Sequence, residues 1–302
     1  IYDACRELEK DDSNFILNQF SEFANHIGHN EVTGRALERI FLHYKKENPN
    51  LSLSAFVAAS GSAGTLGAGE RLKEDHGAKI VAVEALECPT MLYNGFGEHN
   101  IQGIGDKHIP LIHNVTNTDL AIAISDNATD NLNLVFTTDA GKAFLVNELE
   151  VAPSIVEELK HFGFSAICNM LAAIKTAKRL ELGPDDMLIT VATDGSELYE
   201  SEKIELLQNH YPEGFNQKDS SQIIEKNLTQ SDTSNVEVLN DAGRNRIFNL
   251  GYYTWVEQQG IDFSNFEIRR NQDFWKHIQQ LAPLWDELID EFNSQTGLLG
   301  KR

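Results

Sequence analysis

The stretch with the plainest chemical potential is residues 60–69, SGSAGTLGAG, set between the apolar run LSLSAFVAA and the charged segment ERLKEDHG. A glycine-rich turn between a buried strand and a helix lets backbone approach a ligand closely. Its N–H groups converge and the helix N-terminus adds partial positive charge, so the natural guest is an anion, phosphate first among them. The same small residues would equally serve tight strand–helix packing. Two phosphate motifs can be compared with the stretch. A Walker loop needs Gly-Lys-Ser/Thr at its end, and no lysine stands there. The dinucleotide fingerprint needs G-x-G-x-x-G, whereas the glycines fall at Gly61, Gly64, Gly67 and Gly69. Glu84, at the end of the next apolar run, stands where a ribose-binding acid would. A phosphate- or nucleotide-binding module without catalysis therefore stays open as a reading.

The elements that must position this loop follow from periodicity. SAFVAAS is a continuous small-apolar run, as a strand buried on both faces requires, residues 64–76 read as a helix, and AKIVAVEAL as a second buried strand. Together they make a βαβ unit and imply a parallel sheet. Upstream, NFILNQF (14–20) reads as a short strand and residues 31–46 as a helix with Val32, Ala36, Leu37, Ile40, Phe41 and Tyr44 in its apolar pattern. Downstream, DLAIAISDNAT reads as a strand running into a helix cap, residues 137–149 as a helix, and residues 165–180 as a helix with a basic last turn, ended by Gly183 and Pro184. DMLITVATDGSELY then runs from strand into loop. The expected fold class is α/β: an open, mostly parallel twisted sheet flanked by helices. Residues 202–245 are polar and read as a linker or excursion. Residues 246–302 form a helical, aromatic-rich extension, with Phe274, Trp275, Ile278, Leu281, Leu284, Trp285 and Leu288 expected to dock on the body or on a second subunit.

Composition narrows the function classes. The chain of 302 residues carries 46 Asp+Glu against 25 Lys+Arg, a net charge of −21, which repels phosphate backbones and anionic membranes. No nucleic-acid or membrane partner is expected. Three scattered cysteines, Cys5, Cys88 and Cys168, suit a reducing compartment, hence the cytoplasm, and give neither a disulfide framework nor a metal site. No apolar run reaches the ~20 residues that span a bilayer.

With its surroundings, the glycine loop resembles that of the fold-type II pyridoxal-phosphate enzymes, the cysteine synthase and tryptophan synthase β group. Their pattern is a strand, a G-[ST]-G-G-T loop, a helix, and a strand ending V-x-V-E. Here the loop is Gly61-Ser62-Ala63-Gly64-Thr65, with Ala63 in place of a usual glycine, and the strand reads IVAVEAL. HNIQGIGDKHIP (99–110) is similar to the family's H-x-I-Q-G-I-G-x-x-x-I-P segment and is the most specific match. LNQFSEFAN, continuing to Thr33 and Gly34, resembles L-x-Q-F-x-x-x-A-N…H…T-[GT], and VATDGSELYES resembles a strand followed by P-D-S-G-E-R-Y. The resemblance covers residues 14–201. It implies pyridoxal 5'-phosphate as cofactor, with Gly61, Ser62, Ala63, Gly64 and Thr65 around its phosphate and Gly103 beside its ring. It further implies Gln19 and Gly105 at an amino-acid substrate. The family's serine for the pyridine nitrogen is Gly195 here, which leaves Thr193 or Ser196 for that role.

The family's chemistry also needs a lysine in an S-x-K-[DN]-R-like context well before the glycine loop, and a following S-[GS]-N-x-[GA] loop. Neither occurs here. Lys10, Lys45 and Lys46 precede the loop in charged, helical or linker contexts. No catalytic residue is therefore assigned within this chain. The implied picture is the C-terminal part of a pyridoxal-phosphate-dependent lyase or transferase of amino-acid metabolism, inactive by itself, with residues 1–20 returning from a small domain and residues 21–201 forming the cofactor domain. A homodimer, or pairing with a chain that carries the missing domain, is expected.

Overall fold

The computed structural model describes residues 2–105 and 107–297. Its centre is a five-stranded sheet of order β4-β1-β2-β3-β5, comprising β1 (Ser52–Ala59), β2 (Lys79–Ala85), β3 (Leu120–Ile124), β4 (Asp186–Thr190) and β5 (Val236–Val238). The first four strands run parallel, and β5 closes the β3 edge antiparallel. The α/β class read from the βαβ pattern is the class observed.

Apolar side chains of alternate parity feed two cores. Phe56 and Ala58 of β1, with Ile80 and Ala82 of β2, pack with Phe41, Leu72, Phe248 and Trp255 on one face. Ala55, Val57, Val81 and Val83 pack with Leu132, Ile167 and Leu171 on the other. Burial on both faces explains why these strands read as unbroken apolar runs rather than alternations. Helices Arg35–Glu47, Leu66–His76 and Asp241–Tyr252 cover the first face, and Asp126–Thr137 and Phe164–Leu180 the second. Local chemistry sets several boundaries. Ser125 caps the Asp126 helix through Asn127 N, and Thr138, accepting from Gly141 N, opens the next helix, Asp139–Asn147, which is the one expected over 137–149.

Three segments differ from the sequence reading. Residues 14–18 form no strand: Phe15 and Leu17 are 81% and 79% exposed, and no sheet edge meets them. The polar segment 202–245 is folded rather than loose. It contributes most of the helix Glu200–His210, the helix Gln217–Ile224 with an Asn216/Asp219 capping box, and β5 itself. Its polarity reflects short, half-exposed elements at a sheet edge, where one face needs no apolar cover. The C-terminal extension is broken into several short helices, among the described residues ending with Gln272–Gln279 and Ala282–Thr296. Trp275 docks at 1% exposure, whereas Leu284 and Leu288 stay more than half exposed. No helix among the described residues is long and apolar enough to cross a membrane.

Candidate functional site

In an open parallel sheet, ligands bind beyond the carboxyl ends of the strands, where neighbouring connections run to opposite sides. Here that point lies at β1, which sends its chain to β2 on one side and has β4 on the other. A cavity of about 370 Å³ opens there. It is lined by Ala58 and Ala59 from the end of β1, by Val191 and Thr193 after β4, and by Gly61, Ser62, Ala63 and Thr65 of the glycine loop. Gln19, Gly103, Gly105, Ser165 and Asn169 also line it, with the apolar side chains of Phe20, Leu66 and Ile104.

The loop is held from three sides. Ser60 N donates to Val83 O at 2.8 Å, and Gly105 N donates to Ser60 O at 2.8 Å, tying the 99–110 segment to the glycine loop. Asn25 Nδ2 donates to Ser62 Oγ and to Gln19 O, both at 3.0 Å, so one amide joins the LNQF segment to the loop. Gly64 makes room for that amide, since a Cβ there would lie 2.4 Å from Asn25 Oδ1. Gly67 lets the following helix press against the main chain of His26, whose carbonyl oxygen would sit 2.5 Å from an added Cβ. The glycine-rich stretch thus divides: Gly61, Ser62, Ala63 and Thr65 line the cavity, and Gly64 and Gly67 serve close packing.

The N–H groups of Ser62, Ala63 and Thr65 have no hydrogen-bond acceptor among the described residues. They lie at the N-terminus of the Leu66–His76 helix, where such donors are left over by helix geometry. Free donors, two loop hydroxyls and a helix N-terminus facing one cavity suit an oxyanion with several acceptor oxygens, and a phosphate group fits that donor set. Ala63 occupies the left-handed region at φ 68° and is 2% exposed. The loop keeps a conformation natural to glycine although a methyl group is present.

On the opposite wall, Asn169 spans the crevice floor. Ala59 N donates to its Oδ1 at 2.7 Å, and its Nδ2 donates to Val191 O at 2.8 Å, clamping the ends of β1 and β4. Ser165 Oγ lies 3.4 Å from Thr193 Oγ1. Neither Ser165 nor Asn169 was picked out from the sequence. Their signal was available: two polar side chains four residues apart on an otherwise apolar buried helix, SAICNMLAAI, with both now found on the cavity wall.

Of the residues singled out from the sequence, Gln19, Gly61, Ser62, Ala63, Thr65, Gly103, Gly105 and Thr193 line the cavity, and Gly64 supports it from behind. Ser196 stands apart, its Oγ donating to Lys160 O at 2.8 Å. Asp194, next to Thr193, is held by the Tyr199 hydroxyl, and its backbone oxygen accepts from Gly163 N. Among the described residues, no lysine lines the cavity. Glu84 is not available to a ribose. It is 4% exposed, and its two oxygens accept from Met91 N at 2.8 Å and Leu92 N at 2.9 Å. Burial pushes its carboxyl up to about 7, against the opposing pull of those N–H groups and of Arg246.

No family model matches the chain. Cysteine synthase B of Campylobacter jejuni is 29% identical over 189 residues, covering 62% of this chain and 53% of that protein. The chain thus spans about half the length of the curated relative it matches. Among solved structures, a cysteine synthase from Entamoeba histolytica superposes with a TM-score of 0.55 at 23% identity, over 76% of this chain and 59% of that one. A hydrogen sulfide-producing enzyme from Fusobacterium nucleatum gives 0.53 at 23% identity, over 74% and 58%. At these identities the structural likeness establishes the fold.

Proposed function

We propose, from the premise that this chain is a relative of the cysteine synthases with the fold of the fold-type II pyridoxal-phosphate enzymes, that it holds pyridoxal 5'-phosphate in the cavity at the end of β1. It would do so as part of a lyase or transferase acting on an amino acid. The observation that carries the reading is the set of unpaired N–H donors at Ser62, Ala63 and Thr65, facing a cavity at the topological switch point. Those donors, with the Ser62 and Thr65 hydroxyls, are assigned to the phosphate. Gly103 and Gly105, which line the neighbouring wall on either side of Ile104, are assigned to the ring. Thr193 is assigned to the ring nitrogen, because its hydroxyl lines the cavity while that of Ser196 is engaged with Lys160. Gln19, on the rim, is assigned to the substrate carboxylate.

The bound cofactor supplies an electron sink for negative charge at the substrate α-carbon. This chain's residues position it: Asn169 fixes the spacing of β1 and β4, and Asn25 fixes Gln19 against the loop. The amine that accepts and returns the proton during such chemistry has no candidate among the described residues of the cavity wall. We therefore assign it to residues outside this stretch of sequence, on a longer form of the chain or on a partner chain, and expect a dimer. The three free cysteines fit a reducing cytoplasm.

The test is a titration of the protein with pyridoxal 5'-phosphate, read by quenching of protein fluorescence and repeated with inorganic phosphate as competitor. Saturable binding, displaced by phosphate and weakened at least ~10-fold in Gly64→Ala, is expected, because the new Cβ displaces the Asn25 amide that braces the loop. Borohydride treatment should trap no lysine of the cavity wall. Absence of cofactor binding alongside tight binding of a nucleotide would replace this reading with that of a non-catalytic nucleotide-binding module.

A further inference from the structure

The two C-terminal helices differ in what covers them. Gln272–Gln279 is seated on the body: Trp275 Nε1 donates to Arg269 O at 2.7 Å, and the Phe274 and Trp275 rings both meet Phe23. Ala282–Thr296, 15 residues long, has no buried residue. Leu284, Leu288, Ile289 and Phe292 are 54%, 62%, 54% and 60% exposed. Leu281, Leu284, Leu288 and Phe292 recur at the three- and four-residue steps by which a helix presents one apolar stripe. Beside the stripe runs a groove of about 790 Å³, walled by Ile27, Leu111, Phe274, Ile278 and Trp285.

The charge around this surface has one sign. Glu287 and Glu291 flank the stripe, Asp286 and Asp290 lie on the far side of the same helix, and the helix contains no lysine or arginine. The charged residues lining the groove are Glu22 and Asp262. A contiguous exposed apolar surface with a polar rim marks an interaction site, and the acidic rim determines what fits it.

We propose that the groove and the Ala282–Thr296 helix dock an amphipathic helix of a second protein, one whose apolar stripe is flanked by lysine and arginine. Laying such a helix into an apolar groove is a recurrent recognition mode. A second copy of this chain fits poorly, because it would set two acidic helices side by side in molecules of net charge −21, and like charges facing each other suppress association. A basic partner turns the same rim into attraction.

The experiment uses the intact chain and a labelled leucine–lysine amphipathic peptide, with a leucine–glutamate peptide of the same pattern as control, read by fluorescence anisotropy. The lysine peptide binds, the glutamate peptide does not, and added salt weakens binding. The double substitution Leu288→Ser with Phe292→Ser weakens it at least ~10-fold, with no change in thermal unfolding, since neither side chain is buried. Unchanged binding in that variant would mean that the peptide senses only the acidic surface, and would overturn the proposal. A dimer in sedimentation that the same substitutions dissolve would overturn it in favour of a second copy. Hydrogen-exchange protection of residues 284–292 in the natural gene product without a partner would overturn it too, by assigning the face to the protein's own further residues.

Discussion

Glu84 provides a prediction that isolates one buried carboxyl. It lies near the carboxyl end of β2, 4% exposed, accepting two backbone N–H bonds from the Met91–Leu92 turn. Desolvation penalises its charged form, and the two N–H groups and Arg246 recover only part of that penalty, leaving the carboxyl at about 7 against an ordinary 4.5. In the window between those values the native state keeps a proton that the unfolded chain has released. By linkage, stability then falls as pH rises through the window and levels off above it. The gap is worth about 3 kcal/mol at 1.4 kcal/mol per pH unit. Many other groups titrate over the same range, so the quantity to measure is a difference. Urea unfolding of the wild type and of Glu84→Gln, taken from about pH 4 to about pH 9, gives the stability of the variant relative to wild type at each pH. Near pH 4 both side chains are neutral in the folded state, and the variant is level with wild type or slightly weaker, since its amide nitrogen cannot accept. Above pH 7 the variant should gain about 3 kcal/mol on wild type relative to its position at the acid end. A difference that stays flat within about 1 kcal/mol across the range would refute the reasoning, because the carboxylate would then be as well solvated folded as unfolded.

Two further substitutions test the site's frame. Ala63→Gly relieves a left-handed alanine at φ 68°, worth ~1–2 kcal/mol, but loses a buried methyl of ~0.8 kcal/mol and adds ~0.5–1 kcal/mol of unfolded-state entropy, so urea unfolding should place it within about 1 kcal/mol of wild type; Ala63→Val, branched at the same φ, should lose more than ~2 kcal/mol. Asn169→Ala leaves Ala59 N and Val191 O without their partner in a side chain 5% exposed, which should cost ~2–4 kcal/mol for two unpaired groups and weaken cofactor binding in the same fluorescence titration; an unchanged midpoint would mean that water replaces the amide at both strand ends.

Much of the fold was legible because the sheet is parallel and buried. SAFVAAS and AKIVAVEAL carry no alternation, and only a strand covered on both faces tolerates that, so strand, direction and the loop between them followed from one pattern. The same logic misled at NFILNQF, where apolar residues mark neither core nor sheet; Phe15 and Leu17 face solvent among the described residues. It was silent over residues 202–245, because β5 has three residues and sits at an edge, too short to show a period. Pattern reading detects elements through the core they face, and an edge strand faces little of it.

The site divides along a similar line. Positions of close backbone approach were legible because they demand glycine or small residues at fixed spacing: Gly61, Gly103 and Gly105, which line the cavity, and Gly64, which packs on Asn25, stand out by type alone. Side chains that act by bridging elements were not. Asn169 joins β1 to β4, and Asn25 joins the LNQF segment to the glycine loop; each is an ordinary asparagine until the fold brings within reach partners 22 to 110 residues distant in sequence. Glu84 shows the converse. Its place at the end of a strand after a glycine loop suggested a ribose contact, yet its two oxygens were already taken by the turn that follows its own strand. A carboxylate at the end of a strand that is buried and already accepts backbone N–H bonds on both oxygens has little left to offer a ligand. Among the described residues the loop amides of Ser62, Ala63 and Thr65 have no acceptor, whereas both oxygens of the acid accept backbone N–H bonds, so the groups left over at the loop are donors, which suit an anion better than a sugar hydroxyl.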